Sequence, residues 1–400
     1  MNKEKVILEG IHYKTGRVIR LGIFNGLIFS ITDINSLYRA AGSKRAKLPV
    51  IAPGLVDLQV NGYKGVDFND RQLTPEQVEQ ASEELLKTGV TKYFPTLITG
   101  SKKKSSELLK TLAEASGGRG LSARMIGGIH IEGPFISKEE GPRGAHPKRY
   151  CINPDPELIE QWQAESGGMI RIITLAPELP GSEELIRAAV EMGMVVALGH
   201  TDADSASVRR AVEAGATLST HLGNGCHPLL PRHPNYIWDQ LAEDRLYASM
   251  IADGFHLPDA VLKVFGAVKG ERAVLVSDSM TYAGLKPGLY DSPATGKVRL
   301  TEEGRLHLER NPKSLAGSAG NLLGGVGKMA GIAGFSHAWD MGSVNPSELL
   351  NQNNLHGLQV GAHADLVLLD PDLEHPSVRR VLPFYGNGYR RGRKPTRPPG

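Results

Sequence analysis

Between residues 55 and 277 the chain alternates short apolar runs, typical of buried strands, with amphipathic segments that have helical periodicity. At Thr74-Pro75-Glu76-Gln77 a capping hydroxyl and a first-turn proline mark the start of one such helix. Eight strands in this alternation predict an α/β fold, a (β/α)8 TIM-type barrel. An open doubly wound sheet is the alternative. Its ligands would gather at one switch point, whereas polar residues end nearly every predicted strand here, as in a barrel. The predicted strands are 55–60, 91–96, 125–132, 170–175, 195–200, 217–221, 247–252 and 273–277. The predicted helices are 75 to near 89, 105–115, 156–165, 182–192, 204–214 and one from 258 onward.

Several of these strands end in polar side chains. Glu132 closes a β-branched run at a Gly-Pro break, His200 and His221 end two later runs, and Asp278 follows the eighth. Because catalytic residues of such barrels stand at the carboxyl ends of the strands, we expect these four side chains to share one mouth. Taken singly, Glu132 could be a solvated loop acid and each histidine a structural residue.

The two chain ends have β character of their own. Residues 20–24 and 27–31 flank Asn25-Gly26, a dipeptide that favours a two-residue hairpin. Residues 364–370 and 379–385 are further candidate strands. We therefore predict a small β-sandwich-like domain from residues 1–52 and 346–388, a barrel from 53–345, and a basic, disordered tail from 389–400.

Composition excludes several classes of protein. With 400 residues, 40% hydrophobic and 22% charged, the chain is globular rather than disordered. Two cysteines form no disulfide framework, and no run has the length of a membrane span or a signal-peptide core. The net charge of +3 comes partly from the basic tail, which could bind nucleic acid but fits a frayed terminus better. We expect a cytoplasmic protein with neither a nucleic-acid nor a membrane partner.

The strand ends also predict a metal site. Glu132, His200 and His221 would supply one carboxylate oxygen and two imidazole nitrogens, the set that leaves a catalytic zinc an open position. Such an ion activates water and polarises an amide carbonyl, which predicts an amide hydrolase. Asp278 is then the candidate proton shuttle, although next to Ser277 and Ser279 it could also be a helix cap or turn former.

Several motifs lie along the chain, at residues 53–62, 130–134, 199–201, 220–224, 251–256, 276–278 and 315–318. In order and spacing they resemble those of the N-acetylglucosamine-6-phosphate deacetylases of the amidohydrolase superfamily. The resemblance runs nearly end to end and implies a metal-dependent (β/α)8 barrel with a small β domain, a homodimer, and release of acetate from an amino-sugar phosphate.

Position by position, the resemblance makes Glu132, His200 and His221 the metal ligands and Asp278 the base that activates water. It makes His146 the residue that polarises the acetyl carbonyl. The substrate-binding residues that it implies are Gln59, Asn61, Gly133, Asn224, Gly225, Arg232, His256 and Leu315. For Arg232 the alternative is that its Pro-Arg-His-Pro loop is only a rigid connector.

Two departures bear on the prediction. Many amidohydrolases carry His-x-His on the first strand and bind two metals, whereas this chain has Gln59-Val60-Asn61, whose amides are poor zinc ligands. We therefore expect one divalent ion per chain, with zinc favoured. The segments 224–228 and 277–280 also differ from the usual pattern.

Three functions compete: the deacetylase, an amidohydrolase acting on another N-acyl sugar such as N-acetylgalactosamine 6-phosphate or on a cyclic amide, and a sugar-phosphate-binding homologue without activity.

Overall fold

The computed structural model describes residues 5–38, 45, 47–292, 296–352, 355–373 and 376–382. In chain order the strands are β1 Lys5–His12, β2 Val18–Phe24, β3 Leu27–Asp33, β4 Val50–Pro53, β5 Leu55–Val60, β6 Gly62–Tyr63, β7 Val66–Asp67, β8 Val90–Ile98, β9 Ile129–Glu132, β10 Ile170–Leu175, β11 Val195–Leu198, β12 Leu218–Ser219, β13 Tyr247–Ile251, β14 Ala273–Val276, β15 Gly288–Ser292, β16 Gly296–Leu300, β17 Leu306–Leu308, β18 Asn311–Leu315, β19 Leu366–Leu369 and β20 Val378–Leu382. The α-helices are α1 Pro75–Leu86, α2 Lys102–Gly117, α3 Ser122–Met125, α4 Pro156–Glu165, α5 Ser182–Glu191, α6 Ser205–Ala214, α7 Tyr236–Ala242, α8 Asp259–Lys269, α9 Leu322–Ala333, α10 Phe335–Met341 and α11 Val344–Leu349.

The eight predicted strands form one parallel sheet, in the order β5, β8, β9, β10, β11, β12, β13, β14. Its first and last strands meet, since Asp278 N donates to Gln59 O at 2.9 Å and Asn61 N to Ser279 O at 2.9 Å. The side chain of Asp57 contributes to this seam, because its Oδ1 accepts the Ser277 N–H at 3.1 Å. The predicted (β/α)8 barrel is confirmed, and the carboxyl ends of its strands form one rim.

Two apolar layers follow from the two-residue period of the strands. Ile129 and Ile131 belong to the large cluster that packs strands against helices, whereas His130 and Glu132 point to the other side. A separate cluster consists of strand residues together with Leu349, the last residue of α11, and Leu350. Its members from the strands are Val56, Leu58, Phe94, Ile172, Ala197, Leu218, Ile251, Val274 and Val276. This inner layer fills the interior of the barrel, so the polar side chains at the strand ends lie next to a packed apolar core.

The two chain ends share a second sheet, in the order β20, β19, β4, β1, β2, β3. The predicted hairpin is confirmed: Phe24 pairs with Leu27, and Asn25 and Gly26 have φ of 50° and 74°. The predicted strand 379–385 is seen as Val378–Leu382, and its last three residues lie outside the described ranges. So does the predicted tail of 389–400.

Local signals were accurate at some boundaries and not at others. Thr74 and Gln77 form the expected capping box of α1. The strand predicted from residue 125 begins at Ile129, because residues 122–125 close a short helical turn instead. The predicted barrel boundary after 345 falls inside α11, and the division into domains otherwise stays a prediction.

Several parts of the fold were not predicted, and two of them follow strands that carry site residues. The segment after β14, expected as a loop, holds the antiparallel sheet β15–β18, with Tyr282, Val298, Leu300 and Leu306 as its own small core. The loop expected after His221 contains α7. None of the helices in the described ranges combines the length and the apolar character needed to cross a membrane.

Candidate metal centre and active site

The four predicted strand-end residues do share one mouth. Glu132 is the last residue of β9, while His200, His221 and Asp278 each stand two residues beyond a strand. Those three have positive φ, of 53°, 30° and 47°, in the left-handed region that non-glycine residues rarely adopt. Such backbone is retained where surrounding contacts fix it, and here it turns each side chain toward the barrel axis.

Glu132, His200 and His221 form a compact buried group. Their candidate ligand atoms all lie within 4.8 Å of one another. Glu132 Oε1 is 2.9 Å from His221 Nε2 and 3.2 Å from His200 Nε2. Burial would raise the pKa of Glu132, but the hydrogen bonds from the two histidines hold it well below its usual range. A carboxylate and two imidazole nitrogens converge from three strands, which is the donor set that a divalent ion prefers.

The two histidines differ in their outer partners. His200 Nδ1 donates to the Pro142 carbonyl at 2.8 Å, which leaves Nε2 free to bind an ion. His221 Nδ1 is buried and has no hydrogen-bond partner among the described residues. The buried Nδ1 of His221 lacks a partner, and the carboxylate of Glu132 contacts both imidazole rings. Both features fit a group that binds a cation.

Gln59 and Asn61 contact the acidic residues of the site. Gln59 Nε2 donates to Glu132 Oε1 at 2.8 Å, and Asn61 Nδ2 donates to Asp278 Oδ1 at 2.7 Å. Asn61 Oδ1 is buried without a hydrogen-bond partner in the described structure. Each amide therefore orients a carboxylate, and their role in substrate binding stays a prediction.

Asp278 has the properties of a proton carrier. Burial raises its pKa to about 6, and the negative charge of Glu132 adds to this effect. The charges of His221 and His256 and the hydrogen bond from Asn61 oppose the rise. A carboxyl group with its pKa this close to neutrality can take up and release a proton during catalysis.

His146 lies against the metal-ligand group, with its ring centroid 4.4 Å from that of His200. Burial lowers the pKa of His146 to about 3, so the ring is neutral near pH 7. Its Nδ1 lies 2.9 Å from Thr99 Oγ1 and accepts the Thr99 N–H at 3.4 Å. A nitrogen that accepts from both groups carries no proton, so the ring proton is then on Nε2. Nε2–H is then a donor for a carbonyl oxygen, the chemistry expected of this residue.

The sequence motifs assign no role to a further buried histidine, His130, which is two residues before Glu132 on β9. His130 Nδ1 donates to the Leu58 carbonyl at 3.1 Å, and its Nε2 is 2.8 Å from Thr174 Oγ1. Thr174 Oγ1 in turn lies 2.7 Å from Thr220 Oγ1, next to His221. The signal for its position was available, because two-residue periodicity places His130 on the same strand face as Glu132.

The remaining predicted substrate residues fall into two groups. Gly225 has φ of 55°, and a Cβ there would lie 2.7 Å from His200 Nδ1, so a side chain would collide with this ring. Asn224 Nδ2 donates to the His221 carbonyl at 3.4 Å, and Gly133 N donates to the Thr174 carbonyl at 3.1 Å. These three residues border the metal-ligand group.

The second group is less closely tied to the ligands. His256 lies on the loop after β13, near enough that its charge acts on Asp278. Arg232 is exposed, and within the described ranges no side-chain hydrogen bond or ion pair joins it to the site. Leu315 ends β18, three residues before Ser318, which forms a bridge to Ser279 beside Asp278.

Comparison with known proteins gives a consistent result. Residues 50–387 match the model of the amidohydrolase family. The N-acetylglucosamine-6-phosphate deacetylase of Bacillus subtilis is 34% identical over 380 residues, covering 92% of each chain. The Homo sapiens deacetylase of the same name is 35% identical over 383 residues, covering 92% of this chain and 89% of its own.

Solved structures agree. A Mycobacterium smegmatis N-acetyl-D-glucosamine-6-phosphate deacetylase, in complex with N-acetyl-D-glucosamine-6-phosphate, superposes with a TM-score of 0.82 at 26% identity, covering 96% of this chain and 99% of its own. The Thermotoga maritima deacetylase has a TM-score of 0.79 at 27% identity, covering 96% and 100%. At 13% identity and a TM-score of 0.57, a Klebsiella pneumoniae 5-methylcytosine deaminase shares the fold alone, covering 98% and 99%.

Proposed function

The chain belongs to the amidohydrolase family, and from this premise we propose that it hydrolyses the N-acetyl group of N-acetylglucosamine 6-phosphate, giving glucosamine 6-phosphate and acetate. The observation that carries the proposal is the buried group of Glu132, His200 and His221 beside Asp278 at the rim of the barrel. Amidohydrolases are metal-dependent, and this donor set suits a divalent ion.

The metal is proposed to be a single zinc ion bound by Glu132, His200 and His221. The chemistry that a divalent ion supplies, when bound, is to lower the pKa of a water molecule and to polarise the amide carbonyl. The single ion is supported by Gln59 and Asn61, whose amide nitrogens donate to Glu132 and Asp278. Amides are poor ligands for a second zinc ion.

The protein residues then divide the proton transfers. Asp278 takes a proton from the water that attacks the acetyl carbon, and delivers it to the amine nitrogen as the C–N bond breaks. His146 donates its Nε2–H to the acetyl oxygen, on which negative charge develops. Asn61 holds Asp278 in place through its 2.7 Å hydrogen bond.

The phosphate is proposed to bind to Arg232 and His256, with Asn224 and the backbone of Gly225 nearby. The loops after β12 and β13 carry these residues on the rim, where barrel enzymes commonly hold phosphates. Arginine fits a phosphate by bidentate hydrogen bonds, and Arg232 is exposed and free of ion pairs in the described ranges.

The deciding experiment is an acetate-release assay with purified enzyme and added zinc. N-acetylglucosamine 6-phosphate should be hydrolysed much faster than N-acetylglucosamine, because binding energy from the phosphate helps to orient the amide. N-acetylgalactosamine 6-phosphate tests the sugar epimer. Equal rates on the two glucosamine compounds would reject the phosphate claim, and no acetate from any of them would reject the function.

Arg232→Ala should lower kcat/KM for the phosphorylated sugar by the equivalent of about 1.5–3 kcal/mol, as for a hydrogen bond to a charged group. The same substitution should leave hydrolysis of the unphosphorylated sugar almost unchanged. Exposed Arg119, between α2 and α3, offers a matched control, since Arg119→Ala should affect neither substrate. An equal loss on both substrates would show that Arg232 acts on the loop rather than on the phosphate.

A homodimer and a cytoplasmic location complete the proposal. Leu229 and Trp238, at 89% and 52% exposure, flank the Arg232 loop and offer an apolar surface to a second copy. Both cysteines are unpaired, as is usual in a reducing compartment. Sedimentation of the purified chain tests the dimer.

A further inference from the structure

His256 has a buried acidic partner to which neither the sequence motifs nor the proposed mechanism gives a role. Asp253 Oδ2 lies 2.7 Å from His256 Nδ1, and the two side chains are only 8% and 12% exposed. The other oxygen, Oδ1, accepts the backbone N–H groups of Phe255 at 2.8 Å and of His256 at 2.9 Å. Both carboxylate oxygens are therefore occupied, and the carboxylate is fixed to the loop that carries the histidine.

The pairing determines which ring nitrogen carries a proton. An ionised carboxylate can only accept hydrogen bonds, so His256 Nδ1 must be the donor. Burial opposes ionisation of Asp253, yet the hydrogen bonds from the His256 ring and the backbone keep the pKa of Asp253 below its ordinary value. Nε2, on the opposite side of the ring, is the nitrogen left to meet a substrate.

Packing keeps Asp253 in this position. A Cβ on Gly320 would lie 3.2 Å from the Asp253 Cβ, so the segment that follows Ser318 packs closely over the acid. His256 itself lies near Asp278, since a positive charge on this ring would lower the pKa of that carboxyl group. The pair thus lies on the loop after β13, at the rim and close to the reaction centre.

We propose that Asp253 is a positioning residue, which fixes His256 with Nδ1–H toward the acid so that Nε2 can bind a phosphate oxygen as a charged donor. The phosphate rests on the proposed function, whereas the pairing does not. With Nδ1 already protonated and its proton accepted, a second proton on Nε2 makes the ring a cation that donates to the anion.

Asp253→Asn tests this step with little change in shape. The asparagine Oδ1 can keep both backbone N–H groups, so its NH2 group faces His256 and can only donate to Nδ1. The ring then holds its proton on Nε2 and cannot become a cation while this bond persists. We expect kcat/KM for the phosphorylated sugar to fall roughly 10- to 100-fold, with metal content and melting temperature near those of the unmodified enzyme.

A double-mutant cycle separates positioning from a general structural role. If Asp253 acts through His256, adding Asp253→Asn to His256→Gln should cause almost no further loss of kcat/KM. An equal loss in both backgrounds would overturn the proposal. Asp204→Asn is the matched control: Asp204 caps α6 by accepting the Ser207 N–H at 2.7 Å, and this variant should retain full activity.

Nitrogen-15 NMR of histidine-labelled zinc enzyme tests the pairing without any turnover. His256→Gln identifies the signals of His256 among the 13 histidines. A protected Nδ1 proton in the unmodified enzyme, moved to Nε2 by Asp253→Asn, is the expected result. An Nε2-protonated neutral ring in the unmodified enzyme would overturn the proposal, even if Asp253→Asn failed to fold. If the enzyme released no acetate from any sugar, the proposed function would fail while this spectrum still decided the pairing.

Discussion

At the scale of single residues, the site combines one cation-binding group with one proton carrier. Glu132, His200 and His221 come from three strands and meet within 4.8 Å, so none of them is replaceable by a neighbour along the chain. Asp278 is not a member of this ligand group and is held by Asn61. Because different residues carry the two roles, each role can be tested by its own substitutions.

His200→Ala or His221→Ala should lower the zinc content from about one ion per chain to near zero and abolish turnover, because two remaining ligands are not a full site. Elemental analysis of dialysed protein measures this. His337, exposed on α10, gives a control, since His337→Ala should keep the ion. Two ions per active chain in the unmodified enzyme would contradict the single-metal proposal.

Asp278→Asn should retain zinc and substrate binding while turnover falls by roughly two to four decades, the range for loss of a general acid or base. The asparagine oxygen can still accept the Asn61 amide hydrogen bond, so the loop should hold its shape. Single-turnover acetate release, corrected for metal content, is the measurement. A variant with normal turnover per zinc-loaded molecule but lower stability would mean that Asp278 is only structural.

At the scale of elements, the barrel is joined at its seam partly by a buried acid. Asp57 Oδ1 accepts the N–H of Ser277 across the seam and of Gln59 within its own strand, while Oδ2 has no partner among the described residues. Burial raises the pKa of Asp57 from 3.8 to about 7. The seam between β5 and β14 thus contains a carboxyl group that is costly to ionise.

The sign of the pH effect follows from proton uptake. Between pH 4 and 7 the folded protein holds a proton on Asp57 that the unfolded chain has lost, so stability from this group decreases as pH rises through that window. In the Asp57→Asn variant this decrease in stability with pH should be absent. The variant should therefore gain up to about 4 kcal/mol of stability relative to the unmodified protein at pH 8. Urea unfolding of both proteins at pH 5 and pH 8 tests this. A difference in stability that is the same at both pH values would contradict it.

At the scale of the whole molecule, a few polar contacts join the six-stranded sheet to the barrel helices. The Tyr13 hydroxyl donates to Asp340 Oδ1 at 2.6 Å, and Lys14 Nζ lies 2.7 Å from Asp340 Oδ2. Trp339 Nε1 donates to the Pro53 carbonyl at 2.9 Å. These bonds connect residues about 300 positions apart and hold the N-terminal part of the chain against α10.

Tyr13→Phe should lower the free energy of unfolding by about 1–3 kcal/mol, because it leaves a buried carboxylate oxygen without its donor. Turnover should not change, since Tyr13 contacts α10 and not the rim. Tyr290→Phe, which removes an exposed hydroxyl bonded to the Lys286 carbonyl, is the matched control and should cost less. Equal stabilities of the two variants would show that the contact with Asp340 contributes nothing.

The sequence by itself determined the features that depend on local patterns. Strand and helix periodicity gave the (β/α)8 barrel, Asn25-Gly26 gave the hairpin, Thr74 and Gln77 gave the cap of α1, and the polar strand ends gave Glu132, His200, His221 and Asp278. Each of these signals lies within a few residues, and the common direction of parallel strands brings their ends together without further information.

Only the tertiary structure decided the features that depend on contacts between distant residues. The partner of His130 is Thr174, 44 positions away, and Asp57 reaches Ser277 across 220 positions. The sheet β15–β18 and the packing of Leu349 and Leu350 against the inner strand residues likewise depend on contacts that form only in the folded chain. The sequence alone did not show the pairing of Asp253 with His256, although the two are only three residues apart. The pairing depends on the fold, because burial and packing fix both side chains beside the reaction centre.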